Sequence, residues 1–92
     1  MNTIIPPDKS LIEYPSRFPI KVMGANAEGF AQTVIDLTLM FDPGLDVSTV
    51  EQRLSSGGKY LGLTVTITAT SREQLDEFYR TLTTHPMVKM VL

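Results

Sequence analysis

The segment from residue 60 to residue 70 constrains the fold of this chain more than any other feature. Its apolar residues occupy every second position, at Leu61, Leu63, Val65, Ile67 and Ala69. Between them lie Tyr60, Gly62, Thr64, Thr66, Thr68 and Thr70. Successive side chains of a strand point to opposite faces, so this alternation predicts a strand with one buried and one hydrated face. Such a strand is typical of an antiparallel sheet.

Three other segments are predicted to be strands. The first spans residues 17–24, a weaker one spans 47–54 and a last one spans 87–92. In the last strand, one face is expected to carry Val88, Met90 and Leu92. The pair Gly57-Gly58 lies between the second and third strands and predicts a hairpin turn.

Two segments show the period of an amphipathic helix. The first is predicted to begin at Asn26, a plausible N-cap residue, and to stop before Pro43. The second follows Thr70, whose spacing to Glu73 matches a capping box, and ends near His85. Each helix therefore lies between two predicted strands.

The predicted order is β-α-β-β-α-β, the ferredoxin-like α/β (α+β sandwich) pattern. We expect a four-stranded antiparallel sheet with two helices on one face and with the first and third strands in its centre. A chain of 92 residues forms one domain, placed here at residues 17–92. Residues 1–16 are expected to be a loose tail up to Ser10, followed by a short segment, 11–14, that docks on the core.

Composition excludes several functional classes. Without cysteine, the chain has no disulfide, thiolate metal site or cysteine nucleophile, and its one histidine, His85, is next to a proline in a predicted loop. We therefore expect no enzyme activity, no metal and no cofactor. No apolar run approaches the roughly 18 residues of a membrane span and no signal peptide opens the chain, so a cytoplasmic location without membrane contact is expected.

Basic side chains are predicted to gather on the open face of the sheet. Lys21, Arg53 and Lys89 point there in the expected register, whereas most acidic residues lie on the helices. The plainer interpretation is that these charges keep the sheet soluble. The sharper hypothesis is that the face binds an anionic ligand or an acidic partner, with contributions from Tyr60, Thr64 and Thr66.

The sheet has two further potential uses. The apolar terminal strand, residues 87–92, could pair at its edge with a second copy or a partner strand, with Lys89 acting as a gatekeeper. RNA binding needs aromatic side chains on the central strands, and only Tyr60 could stack a base. The net charge of −2 also disfavours nucleic acid.

Several segments together resemble the YbeD-like family of small bacterial proteins. They are Phe18-Pro19-Ile20-Lys21-Val22-Met23-Gly24, then Ser55-Ser56-Gly57-Gly58-Lys59-Tyr60 leading into residues 65–70, and the ending Val88-Lys89-Met90-Val91-Leu92. The lead-in Ile12-Glu13-Tyr14-Pro15 matches the family's Leu-Glu-aromatic-Pro, with Ile in place of Leu. The likeness runs from about Leu11 to Leu92.

The resemblance implies a ferredoxin-like sandwich similar to ACT regulatory domains, and it transfers no catalytic residues. ACT domains bind small effectors, often amino acids, near the loop after the first strand, usually at a dimer interface. By analogy, Gly24, Ala25 and Asn26 form a candidate effector loop. The expected function is a small regulatory module for an effector or a partner protein, and the alternative is a protein-interaction adaptor that uses the open face or the terminal edge.

Overall fold

The computed structural model describes residues 13–92, so the predicted tail and the first half of the docking segment lie outside the described residues. The sheet consists of four strands: β1 (Ser16–Ala25), β2 (Glu51–Leu54), β3 (Tyr60–Ala69) and β4 (Val88–Val91). The helices are α1 (Phe30–Phe41) and α2 (Arg72–Thr83). A single 3-10 turn at Val47–Thr49 precedes β2.

The sheet confirms the ferredoxin-like prediction. Its order is β2-β3-β1-β4, and each neighbouring pair is antiparallel. The longest ladder joins β1 to β3, from the pair Ser16 and Ala69 to the pair Ala25 and Tyr60. Both helices cover one face, and the core between the two layers contains the fully buried side chains of Ile20, Val22, Phe30, Val34, Leu63, Val65, Ile67, Phe78 and Leu82.

The start of α2 differs from the prediction by one residue. Ser71 is the N-cap, and its hydroxyl accepts a hydrogen bond from the Gln74 amide at 3.0 Å. The Gln74 side chain accepts from the Thr70 N–H at 2.7 Å and donates to the Phe41 carbonyl at 2.6 Å. The predicted capping box with Glu73 is therefore wrong, because Gln74 satisfies the backbone at this corner.

Asn26 does not cap α1, contrary to the prediction from sequence. The N-cap is Gly29, in a left-handed conformation with φ 86°. The side-chain amide of Asn26 instead donates to the Gly58 carbonyl at 2.9 Å, and its backbone N–H donates to the Lys59 carbonyl at 3.0 Å. These bonds tie the loop after β1 to the β2–β3 hairpin, a partner that is distant in sequence.

The second strand is shorter than predicted. Val47–Thr49 forms a helical turn because the Asp46 carboxylate accepts hydrogen bonds from both the N–H and the hydroxyl of Ser48, at 3.0 and 2.6 Å. Only Glu51–Leu54 pairs with β3. The predicted hairpin turn is confirmed, since Gly57 and Gly58 both adopt positive φ angles.

A β-bulge interrupts the pairing of β4 with β1. Gly24 of β1 lies opposite Val88, but Met23, the residue before it, lies opposite Met90. Lys89 is the extra residue and has no partner in register. An inserted residue of this kind changes which face the following side chains occupy.

The bulge corrects the predicted face of the last strand. Val88 is buried toward the helices, and Val91, opposite Val22, lies on the same side. Met90 is exposed, and Leu92 exchanges two backbone hydrogen bonds with Lys21, at 3.0 and 2.8 Å. Met90 and Leu92 therefore lie on the open face, not with Val88.

Candidate ligand groove on the open sheet face

The open face of the sheet contains a shallow groove of about 440 Å³. Its side chains form two rows that cross all four strands. The first row is Leu92, Lys21, Thr64 and Glu51, and the second is Met90, Met23, Gly62 and Arg53. Gly62 has no side chain, so the floor of the groove is open at the centre of the second row.

Exposed apolar side chains are concentrated in this groove. Of the seven large hydrophobic residues exposed in the described part of the chain, four line it from the open face: Met23, Tyr60, Met90 and Leu92. Met90 is 50% exposed and Leu92 is 65% exposed. A contiguous exposed apolar patch rimmed by polar groups is characteristic of a binding surface.

Lys21 is the central cation of the groove. It lies on an inner strand, with Leu92 on one side and Thr64 on the other, and Glu51 follows across β3. Within residues 13–92, the ion pairs found lie on α2, between Arg72 and Asp76 at 3.9 Å and between Arg80 and Glu77 at 2.7 Å. These pairs lie on the other side of the sheet from the groove.

The structure brings four of the predicted face residues together: Lys21, Arg53, Tyr60 and Thr64 line the groove. Thr66 lies farther along β3, opposite Pro19, and does not line it. Lys89 is exposed but also lies outside the groove, because the bulge places Met90 opposite β1 in its stead. The basic cluster predicted from sequence is thus smaller than expected.

The predicted effector loop, residues 24–26, is separate from the groove. Gly24 is buried beneath Phe30, and Asn26 is bonded to the hairpin carbonyls. Ala25 pairs with Tyr60, the groove residue closest to this loop in the sheet. Packing against Phe30 explains why residue 24 is a glycine. The role of the loop in effector binding stays a prediction.

Two groove residues, Met90 and Leu92, were assigned to the wrong face by the sequence pattern. Simple alternation places both with Val88, and nothing local to residues 87–92 signals the extra residue in the strand. Their exposure and the pairing of Leu92 with Lys21 are visible only in the assembled sheet.

The groove offers groups for binding. Its polar side chains include a lysine, an arginine, a glutamate, a threonine and a tyrosine, which donate and accept hydrogen bonds. In residues 13–92, no three His, Asp or Glu side chains are close enough to hold a metal ion. Nor is any helix in this range long and apolar enough to cross a membrane.

Residues 9–92 match the family described as "Protein of unknown function (DUF493)". The chain belongs to this family. A UPF0250 protein of Bordetella pertussis is 64% identical over 88 residues, which cover 96% of this chain and 97% of that protein. The UPF0250 protein of Leptothrix cholodnii is 60% identical over the same length and coverage. The YbeD-like resemblance is thereby confirmed.

A solved structure confirms that this DUF493 chain shares its fold with another bacterial protein. The solution structure of a protein from H. pylori matches with a TM-score of 0.73 and covers 99% of this chain and 98% of that one. The two sequences are 16% identical, so the similarity concerns the fold alone. The names of the related UPF0250 proteins specify no activity.

Proposed function

We propose that this protein is a small regulatory binding module whose groove holds an effector with an anionic group beside an apolar part. The observation that carries the proposal is the position of Lys21 on a central strand among exposed apolar side chains. The groove volume of about 440 Å³ lies in the range of small-molecule sites. Mostly apolar walls with a few polar groups are typical of such sites.

The two rows of the groove bind different parts of the effector. The ammonium group of Lys21 donates hydrogen bonds to a carboxylate or phosphate, and charge-assisted bonds of this kind are the stronger class. Met23 and Met90 supply a flexible, polarisable surface for the apolar part of the effector. Glu51, at the far end of the row that contains Lys21, can accept a hydrogen bond from an amine on the same ligand. An amino acid or a related organic acid fits this arrangement.

The proposal assigns no chemical step to the groove. Nucleophilic or acid-base catalysis needs a nucleophile and a base within hydrogen-bond reach. The one histidine, His85, accepts a hydrogen bond from the Met87 N–H at 3.1 Å, in the loop before β4, and does not line the groove. Binding alone is therefore the activity that the arrangement supports.

An amide NMR shift screen of the labelled protein tests this proposal. Pools of amino acids, nucleotides and organic acids are added, and saturable shifts are expected around residues 21–23, 62–64 and 90–92. Lys21→Glu should abolish them. Lys89→Glu is the matched control: it makes the same charge change on the neighbouring strand but outside the groove, so it should leave the shifts intact.

Other outcomes of the screen would redirect the assignment. Shifts confined to residues 24–26 would move the effector site to the loop after β1 and refute the groove. A flat result across all pools would refute effector binding. Equal loss of binding in Lys21→Glu and Lys89→Glu would show that net charge, not the groove, governs the interaction.

A protein-interaction adaptor is the second candidate function, and the exposed methionines favour it. Methionine-rich surfaces suit partners of varied shape, because the side chain is flexible and polarisable. A photo-crosslinking residue at position 90 should capture one discrete partner. The same residue at Met40, which is 73% exposed but lies on α1, should not. Equal capture at both positions would contradict the adaptor function.

A further inference from the structure

The outer edge of β2 is available for pairing. β2 is the last strand of the sheet on its side, and its four residues, Glu51–Leu54, are all exposed. The Ser55 N–H donates to the Tyr60 carbonyl at 2.9 Å, which sets the phase of the β2–β3 ladder. Because bonding alternates along an antiparallel pair, the N–H and C=O groups of Gln52 and Leu54 point away from β3.

The sequence of this edge is complementary to itself. When two copies pair antiparallel about Gln52, each Glu51 lies opposite the Arg53 of the other copy. Each Leu54 then lies opposite the other copy's Val50. Residues 51 and 53 share the open face and residues 52 and 54 share the helix face. Val50 packs against the core and so lies on the helix face as well. The pairing therefore matches opposite charges on one face and apolar side chains on the other.

The backbone phase agrees with this register. With the two-fold axis at Gln52, the two Gln52 residues exchange both backbone hydrogen bonds, and the Leu54 N–H of each copy reaches the Val50 carbonyl of the other. The Val50 N–H already donates to the Val47 carbonyl at 3.1 Å, so Val50 contributes only its carbonyl to the pairing between the two copies. The charged pairs at 51 and 53 then occupy the closer, non-hydrogen-bonded positions.

The opposite edge of the sheet, β4, is protected against pairing with a strand of another copy. β4 carries the bulge and the unpartnered Lys89, and bulges and lysines are both devices that block edge pairing. In an antiparallel pair centred on Lys89, two like charges would lie opposite each other. β2 contains neither a bulge nor a lysine.

We propose that two copies of this chain associate through β2, antiparallel about Gln52, into one continuous sheet. Glu51 and Arg53 also line the groove, so the association brings the two grooves side by side across the joined edges. The proposal goes beyond effector binding. Its test measures mass, not ligand, and so its failure is distinguishable from failure of the proposed function.

Charge reversal tests the register directly. Sedimentation velocity is measured up to about 1 mM, since interfaces below roughly 1,200 Å² form weak complexes. Wild type should show a concentration-dependent dimer. Glu51→Arg and Arg53→Glu should each weaken it at least about tenfold, because each places like charges opposite at both ends of the pair. The double reversal, with both substitutions, should restore it to within about threefold.

Mixing the two single variants gives the sharpest result. The Glu51→Arg copy carries two arginines on this face and the Arg53→Glu copy carries two glutamates, so the mixture should form a heterodimer although each variant alone does not dimerise. Lys89→Glu is the control on the other edge and should dimerise like wild type. Because these residues are exposed, each variant should unfold at the wild-type temperature.

Three results would overturn the proposal. A wild-type chain that stays monomeric at about 1 mM would exclude self-association through β2. A dimer that both single reversals leave intact uses another surface. Failure of the double reversal or of the mixture to associate would show that residues 51 and 53 do not lie opposite each other.

Discussion

Gly24 lies against the ring of Phe30 and the backbone of Met87, and Gly24→Ala should strongly destabilise the fold. A Cβ built at this position lies 2.6 Å from Phe30 Cε1 and closer still to the Met87 carbonyl oxygen, a backbone atom. The close approach to backbone cannot be relieved by a rotamer change. Overpacking in a tightly packed region costs about 1–3 kcal/mol, and we expect the upper end, about 3 kcal/mol.

The matched control is Gly62→Ala, on the neighbouring central strand. A Cβ at Gly62 meets the Arg53 carbonyl oxygen at 3.7 Å and Met23 Cε at 4.0 Å, which are ordinary contacts. Removing a glycine from a strand lowers the entropy of the unfolded chain, so this change should stabilise by about 0.4–1 kcal/mol.

Thermal unfolding followed by circular dichroism measures both effects. In a domain of this size 1 kcal/mol shifts Tm by about 4–8 °C, so Gly24→Ala should lower Tm by about 12–24 °C. Gly62→Ala should raise it by about 2–8 °C. A Gly24→Ala protein as stable as wild type would refute the packing argument, and the glycine would then need a ligand-binding explanation.

Side chains that cap turns allow two local tests. Ser71→Ala removes the acceptor for the Gln74 N–H at the start of α2 and should lower the free energy of unfolding in urea by about 1 kcal/mol. The control, Ser56→Ala in the exposed hairpin turn, should lower it by less than about 0.5 kcal/mol. Equal losses would contradict the role of Ser71 as a cap. The hydroxyl and then the N–H of Ser48 lower the pKa of Asp46 below its ordinary value of 3.8. The resulting stability is present above that value and is lost as the pH falls through the lowered pKa. In a carbon-detected NMR titration, Ser48→Ala should move the pKa back up, and an unchanged pKa would refute the assignment.

Much of the fold could be predicted from periodicity. The alternation over residues 60–70, the helical spacing after Gly29 and Ser71 and the turn at Gly57-Gly58 all correspond to elements of the structure. Each of these patterns is local, since it reflects which side of one segment faces the core. The order of such segments then restricts the topology to few alternatives.

The errors share a physical cause. Asn26 looks like a helix cap, but its side-chain and backbone N–H groups donate to the carbonyls of Gly58 and Lys59, which are brought near only by the sheet. Gln74 takes the place of Glu73 in the corner before α2 because the Phe41 carbonyl is within its reach. Both outcomes depend on groups that are more than 30 residues away in sequence.

The candidate groove shows the same division. Its central strands were predicted, so Lys21, Tyr60 and Thr64 were placed on the open face from alternation alone. The part of its apolar wall formed by Met90 and Leu92 was not predicted, because the side that these residues face depends on a bulge.

The elements, their order and the apolar face of each central strand follow from the sequence alone, because side-chain periodicity is a property of a single segment. The caps of the helices and the side that the last strand presents depend on contacts made in the assembled fold. Those features depend on register, and register is set when separate strands exchange backbone hydrogen bonds. Leu92 is on the open face because it pairs with Lys21, and that pairing exists only in the assembled sheet.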